Sequence, residues 1–134
     1  MKTVELRVET GHNRGVFDLT EECRRFVAGQ GDGLLTVFVP HATAGLVIVE
    51  LGAGSELDLM ATLDRLLPRD DRWVHRHGST GHGADHLVSI VASPSVTIPV
   101  VEGRLTLGNW QSVALLDPNR DNAARAVRLA FVKG

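Results

Sequence analysis

Polar and apolar positions alternate at the start of the chain. Val4, Leu6 and Val8 fall on one side, and Thr3, Glu5, Arg7 and Glu9 on the other. A period of two marks a half-buried strand. Gly11 to Gly15 reads as a turn, and Val16-Phe17 starts a second short strand. The period then lengthens: Cys23, Phe26 and Val27 share a helical face. Thr20 reads as the N-cap, Glu21 and Glu22 sit at the positive end of the helix dipole, and Gly29 closes the helix. On that apolar stripe Cys23 is a core residue rather than a nucleophile.

Leu34–Val39 and Gly45–Glu50 are almost unbroken apolar runs joined by His41-Ala-Thr43-Ala-Gly45. Such runs predict strands buried on both faces, or covered by helices or a partner subunit. Ser55 and Asp58 have the spacing of a capping box at the head of the clearest helix in the chain. Leu59, Met60, Leu63, Leu66 and Leu67 form its apolar stripe, and Pro68 stops it. Leu87–Ala92 fits either a strand or one or two helical turns. Val96–Val101 is a strand that Pro99 confines to an edge or a bulge, and Glu102-Gly103 folds it back on Arg104–Leu107. Ser112–Leu116 and Arg125–Val132 are the last strands. Seven or eight strands, with two or three helices confined to the first two-thirds, predict an α+β class. The expected architecture is a mainly antiparallel sheet with the helices packed on it, in one domain over residues 1–134.

Composition narrows the partners. At 43% hydrophobic and 22% charged the chain is an ordinary globular one. A net charge of −2 offers no basic field to nucleic acid, and 4% aromatics with no tyrosine offer no stacking platform. No apolar run approaches membrane-spanning length, and the charged N-terminus is unlike a signal peptide. Cys23 is the single cysteine, so no internal disulfide forms and a cytoplasmic location is expected.

The chemistry concentrates in His75-Arg-His77-Gly-Ser-Thr-Gly-His82-Gly-Ala-Asp85-His86, which holds four of the six histidines. A segment so rich in glycine is a loop for much of its length. Histidine is the commonest metal ligand and titrates near neutrality, so the loop reads as a metal or acid–base site. His82 and His86, four apart, share a face if the chain turns helical there; His75 and His77 share one if it is extended. Asp85 is placed to ligate or to orient a histidine. Nitrogen and oxygen donors without thiolate point to zinc, nickel, manganese or iron.

Elsewhere His41 closes one buried strand and Glu50 another, and a buried carboxylate would need a partner. Trp110-Gln111 pairs a large aromatic, expected in the core, with an amide able to orient a substrate or a metal-bound water. Arg104, Arg125 and Arg128 are candidates for holding an anion. No Gly-x-Ser-x-Gly elbow, phosphate-loop lysine or Cys-x-x-Cys pair is present.

These blocks, in this order, resemble one family. His41-Ala-Thr43-Ala…Val49-Glu50, the His75…His86 pair and Ile98-Pro99-Val…Gly103-Arg104…Gly108-Asn-Trp110-Gln111 are similar to motifs of the YjbQ-like proteins, whose members include ones credited with a secondary thiamine-phosphate synthase activity. The resemblance implies an α+β subunit, a homotrimer and a divalent metal site, zinc being the expected ion. His75 and His86 would be ligands by that resemblance, and His82, which departs from the pattern, is expected to join them; His41, Glu50 and Gln111 would be catalytic, with Trp110 as a wall. Arg104 or Arg125 would hold the phosphate of a small phosphorylated substrate. The alternative it leaves is a non-catalytic trimer binding a metal or a small anion. Departures from the family pattern bear on activity: Val49 replaces an asparagine, Val88 a lysine, Asn109 a threonine, and Gly78, Gly81 and His82 replace acidic loop positions.

Overall fold

The computed structural model describes residues 1–134. Its elements are β1 (Lys2–Glu9), β2 (Gly15–Asp18), α1 (Thr20–Val27), β3 (Gly33–Phe38), β4 (Gly45–Val49), α2 (Ser55–Leu66), α3 (His82–Asp85), a 3₁₀ turn at Val88–Ile90, β5 (Ser95–Val101), β6 (Arg104–Leu105), β7 (Ser112–Asp117) and β8 (Ala124–Lys133). The class is α+β with antiparallel pairing throughout, but the strands form two sheets rather than one. The larger runs β1-β8-β3-β5-β6 and the smaller β2-β7-β4.

Alternation along the strands builds three layers. Leu35, Val37, Ile98, Val127 and Leu129 of the larger sheet meet Leu46, Val113 and Leu115 of the smaller one, with Cys23 and Val27 of α1 in the same cluster. Neighbouring residues point the other way. Leu116 joins Leu63 of α2 with Val88 and Ala92 in a second cluster on the far side of the smaller sheet. Each fully buried leucine or valine contributes about 1.5–3 kcal/mol relative to exposure. Pro99 lies on β5, which pairs with β6 only at Val100 and Val101, so most of its outer edge is free as the proline requires.

Four local expectations are corrected. Thr20 is the first helical residue rather than the cap: Asp18 Oδ1 accepts from the Thr20 amide at 2.9 Å and its hydroxyl at 2.6 Å. Ser55 likewise begins α2, preceded by Gly54, while Glu56 reaches back to accept from the Gly52 amide at 2.8 Å. Of the α2 stripe only Leu63 is buried, and Leu66 is exposed, because the helix lies on the small sheet along a single narrow line. β3 alternates after all: Leu35 and Val37 are buried, while Leu34 and Phe38 lie open with Val101 and Val132 on the outer face of the larger sheet. No helix is long and apolar enough to cross a membrane.

The β7–β8 connection sets the stage for the site. Thr10 and Gly11 amides donate to the Ala123 carbonyl, and Arg14 Nε donates to the Pro118 carbonyl at 2.6 Å. His12 Nδ1 bonds the Arg120 carbonyl at 2.8 Å. The Pro118–Ala123 turn is thereby clamped against the β1–β2 turn.

Candidate metal centre

After Pro68 stops α2, Trp73 Nε1 donates to the Pro68 carbonyl at 2.7 Å and Arg76 Nε to the Trp73 carbonyl at 2.8 Å. These bonds curl the chain so that His75 and His77 face back toward α3. Two glycines permit the rest. Gly78 (φ 74°) would carry a Cβ 2.7 Å from His82 Nδ1, and Gly81 (φ 85°) one 2.6 Å from Arg69 Cζ. Only a residue without Cβ tolerates both the left-handed backbone and the close approach.

α3 supplies the spacing the sequence suggests. The His86 amide donates to the His82 carbonyl at 3.2 Å, one helical turn, and the two Nε2 atoms come within 2.7 Å of each other. His75 and His77 complete the group: one ligand nitrogen from each of His75, His77, His82 and His86 lies within 4.8 Å of the others. Tetrahedral zinc with bonds of about 2.0–2.1 Å needs nitrogens about 3.3 Å apart. The donor set therefore fits a zinc-class ion after small ring adjustments, and imidazole suits zinc, nickel, copper or iron. His77 belongs with the three residues singled out in the sequence.

A support lies behind the rings. Asp121 Oδ2 is 2.8 Å from His82 Nδ1; an ionised carboxylate accepts there, which keeps the proton on Nδ1 and the lone pair on Nε2. Asn119, fully buried, donates through Nδ2 to Asp85 Oδ2 at 2.9 Å and to Asp121 Oδ2 at 3.3 Å, and its Oδ1 accepts from the Asp121 amide at 2.8 Å. Asp85 does not face the histidines: Arg69 Nη1 donates to its other oxygen, so it anchors α3 instead.

Electrostatics agree with neutral ligands. Desolvation, then the neighbouring His77 and His82, lowers the pKa of His75; desolvation, then His75, His82 and His77, lowers that of His86. The Asp121 carboxyl is held down at about 2, first by Ser79 and then by His82 and Asn119, against its own desolvation. Burial pushes Asp85 up, with Asn119 and Arg69 opposing. His75, His77 and His82 open on a cleft of about 230 Å³ lined by residues between Asp70 and Gly83, Trp73 being its one hydrophobic member.

The remaining residues expected at the site lie elsewhere. His41 Nε2 accepts the Ala126 amide at 2.9 Å, so it ties the β3–β4 loop to β8. Glu50 is exposed at the end of β4 and makes no side-chain hydrogen bond or ion pair, which removes the need for a buried partner. Gln111 Oε1 accepts the Gly108 amide at 2.9 Å within its own turn, and Trp110 is 76% exposed, so it is no core residue. None of these four lines the histidine cleft. Arg104 is exposed beside Arg24 in a separate cavity. Arg125 is corrected as an anion holder: it is buried, and its Nε and Nη2 donate to Asp117 at 2.7 and 2.8 Å, with Thr43 accepting from Nη2 at 2.9 Å. Its charge is already met. Arg128 pairs with Glu5 at 2.9 Å.

Asp121, Asn119 and Arg69 were missed as functional residues. The one sequence signal for Asn119 and Asp121 is the polar run after a buried strand, Asp117-Pro-Asn-Arg-Asp121, which reads simply as a turn, and Arg69 sits in an ordinary polar segment after Pro68.

Comparison with known proteins shows the family and the fold. A Mycobacterium tuberculosis protein described as UPF0047 protein Rv2556c is 57% identical over 134 residues, covering 100% of both chains. A UPF0047 protein of Archaeoglobus fulgidus is 31% identical, over 92% of this chain and 97% of its own. Among solved structures, hypothetical protein APE1520 from Aeropyrum pernix superposes with a TM-score of 0.89 at 29% identity, covering 100% of each chain. Conserved hypothetical protein TT1486 from Thermus thermophilus superposes at 0.81 with 30% identity, over 96% of this chain and 99% of its own. The family profile described as "UPF0047 protein YjbQ-like" matches residues 4–134, and the chain belongs to that family.

Proposed function

We propose that this chain is a divalent-metal protein that acts on a small phosphorylated substrate, with His75, His82 and His86 as ligands and His77 as the fourth donor. The observation that carries the reading is the convergence of four imidazole nitrogens within 4.8 Å, beside a carboxylate that fixes the tautomer of one of them. Zinc is the expected ion, and when bound it supplies Lewis-acid polarisation of a carbonyl or phosphoryl oxygen. The protein's own part is positional. Asp121 holds the His82 proton at Nδ1, Asn119 holds Asp121, and Arg69 with Asp85 holds the α3 turn that carries His82 and His86. A thiamine-phosphate synthase-like transfer is the first activity to assay. A homotrimer completes the reading: Leu34, Phe38, Val101 and Val132 leave an exposed apolar strip on the larger sheet that a second copy would cover.

A specific observation favours a second reading, a non-catalytic metal-binding trimer. Four donors close a tetrahedral set, as in structural zinc sites, whereas catalytic sites keep three protein ligands and an open position. His41, Glu50 and Gln111 also lie away from the cleft. Elemental analysis of untagged wild type beside His75→Ala/His86→Ala decides the shared part. About one metal ion per histidine cluster, lost in the double variant, is expected. Equal metal in both proteins, or none in either, sinks the site. Turnover by the loaded wild type then separates the enzyme from the binding protein.

A further inference from the structure

A second, entirely polar cavity adjoins the histidine cleft. It measures about 410 Å³, and its lining is Arg14, Arg69, Ser79, Thr80 and Arg120. Ser79 and Thr80 also line the histidine cleft, so the two share a wall. We infer that this arginine cavity is an oxyanion subsite that takes the phosphoryl group of a small phosphate ester.

Two observations carry it. First, the guanidinium groups keep valences to spare. Arg14 is bound to Asp64 at 2.5 Å and to the Pro118 carbonyl, and Arg69 to Asp85 and to the Thr80 carbonyl at 2.8 Å. Each arginine has five N–H donors, so both retain some unused. Arg120 has no acidic partner at all: its backbone carbonyl is pinned by His12 while its side chain stays free. Second, the nearby acids are occupied. Asp64 is held by Arg14, Asp85 by Arg69 and Asn119, and Asp121 by His82 and Asn119.

Three guanidiniums with two hydroxyl side chains match the several oxygens of a phosphoryl group better than the two of a carboxylate. The subsite also takes over the role expected of Arg104 and Arg125, one of which is remote and the other spent. It does not depend on the metal. A phosphate ester held here would nonetheless present its organic part across Ser79 and Thr80 toward the histidines.

The test is calorimetric titration of inorganic phosphate into the full chain at constant ionic strength, with acetate as the control anion. Wild type is compared with Arg120→Ala, Arg120→Glu and His75→Ala/His86→Ala. Because Arg120 is exposed, its variants keep the fold, which circular dichroism checks. Saturable phosphate binding in wild type is expected, weakened about tenfold or more by Arg120→Ala and abolished by Arg120→Glu. The double histidine variant is expected to bind phosphate as wild type does. No saturable binding in wild type, or equal binding by Arg120→Ala, overturns the subsite. Loss of phosphate in the histidine variant with Arg120→Ala unaffected assigns the anion to the metal instead, and also overturns it.

Discussion

Asp117 and Asp85 are both buried carboxylates facing an arginine, but their surroundings differ. Asp117 and Arg125 are 0% and 1% exposed at the side chain, meet through two hydrogen bonds, and have Thr43 as a third partner. Asp117 also takes the Asn119 amide, so its oxygens are consumed inside the seam between β7, β8 and the β3–β4 loop. Asp85 is equally buried, yet its Arg69 is 17% exposed, and its second oxygen leads through Asn119 to Asp121 and His82. The first pair is a closed circuit that fixes two sheets to each other. The second is the inner end of a chain of polar contacts that reaches the surface with donors left over. A run of polar contacts that reaches the surface, rather than burial or charge, separates the two regions, and it marks the second as a site.

The largest way to break that contrast is to open the closed pair. Arg125→Ala leaves Asp117 buried without its counter-charge, a change that typically costs about 3–5 kcal/mol. Urea denaturation is expected to show that loss, while metal bound per folded molecule stays as in wild type. A variant of undiminished stability would mean the seam does not hold the fold.

Most strands were legible in the sequence because each carries its own burial record, while their division into two sheets was not. β1 and β8 show the period of two, and Pro99 announced an edge. Loss of detail began where burial depends on a distant surface. Leu34 and Phe38 read as core in a run of apolar residues, but nothing in this chain covers the face they share with Val132. The site was half legible for the same reason. His82 and His86 are neighbours through one helical turn, which spacing predicts. Asn119 and Asp121 reach His82 only because β7 ends beside α3, a meeting that no local pattern encodes. Arg125 was misjudged because a strand arginine is ordinarily solvated, and only the placement of Asp117 shows it sealed.

A milder change sharpens the contrast from the open side. Asp121→Asn keeps the shape but weakens the acceptor that holds the His82 proton on Nδ1. Loss of such a partner typically lowers metal affinity by about 10–100-fold. Competition with a chromophoric chelator is expected to show that drop. Thermal stability of the metal-free protein should change little, because Asn119 keeps its bonds to Asp85 and to the backbone amide at position 121. Unaltered affinity would reduce the Asp121–His82 contact to a surface ion pair.

The smallest effect concerns His41, which belongs to the closed region although its residue type suggests chemistry. Desolvation, then the Arg125 charge, lowers its pKa, with Asp117 and Glu5 opposing, and its Nε2 lone pair is spent on the Ala126 amide. A base whose pKa is lower folded than unfolded takes up its proton more readily in the unfolded chain. Stability therefore rises with pH through the window below the unfolded value of about 6.5 and is lost as pH falls through it. His75 and His86 are shifted the same way, so the slope is shared. Denaturation of the chelator-treated protein at pH 7.5 and pH 5 isolates the His41 share and stays above the range where Asp121 titrates. His41→Gln, whose amide oxygen can still accept from Ala126, is expected to lose less stability between the two than wild type. Equal losses would show that His41 stays neutral without help from the fold, and that its part in the seam is one hydrogen bond and nothing electrostatic.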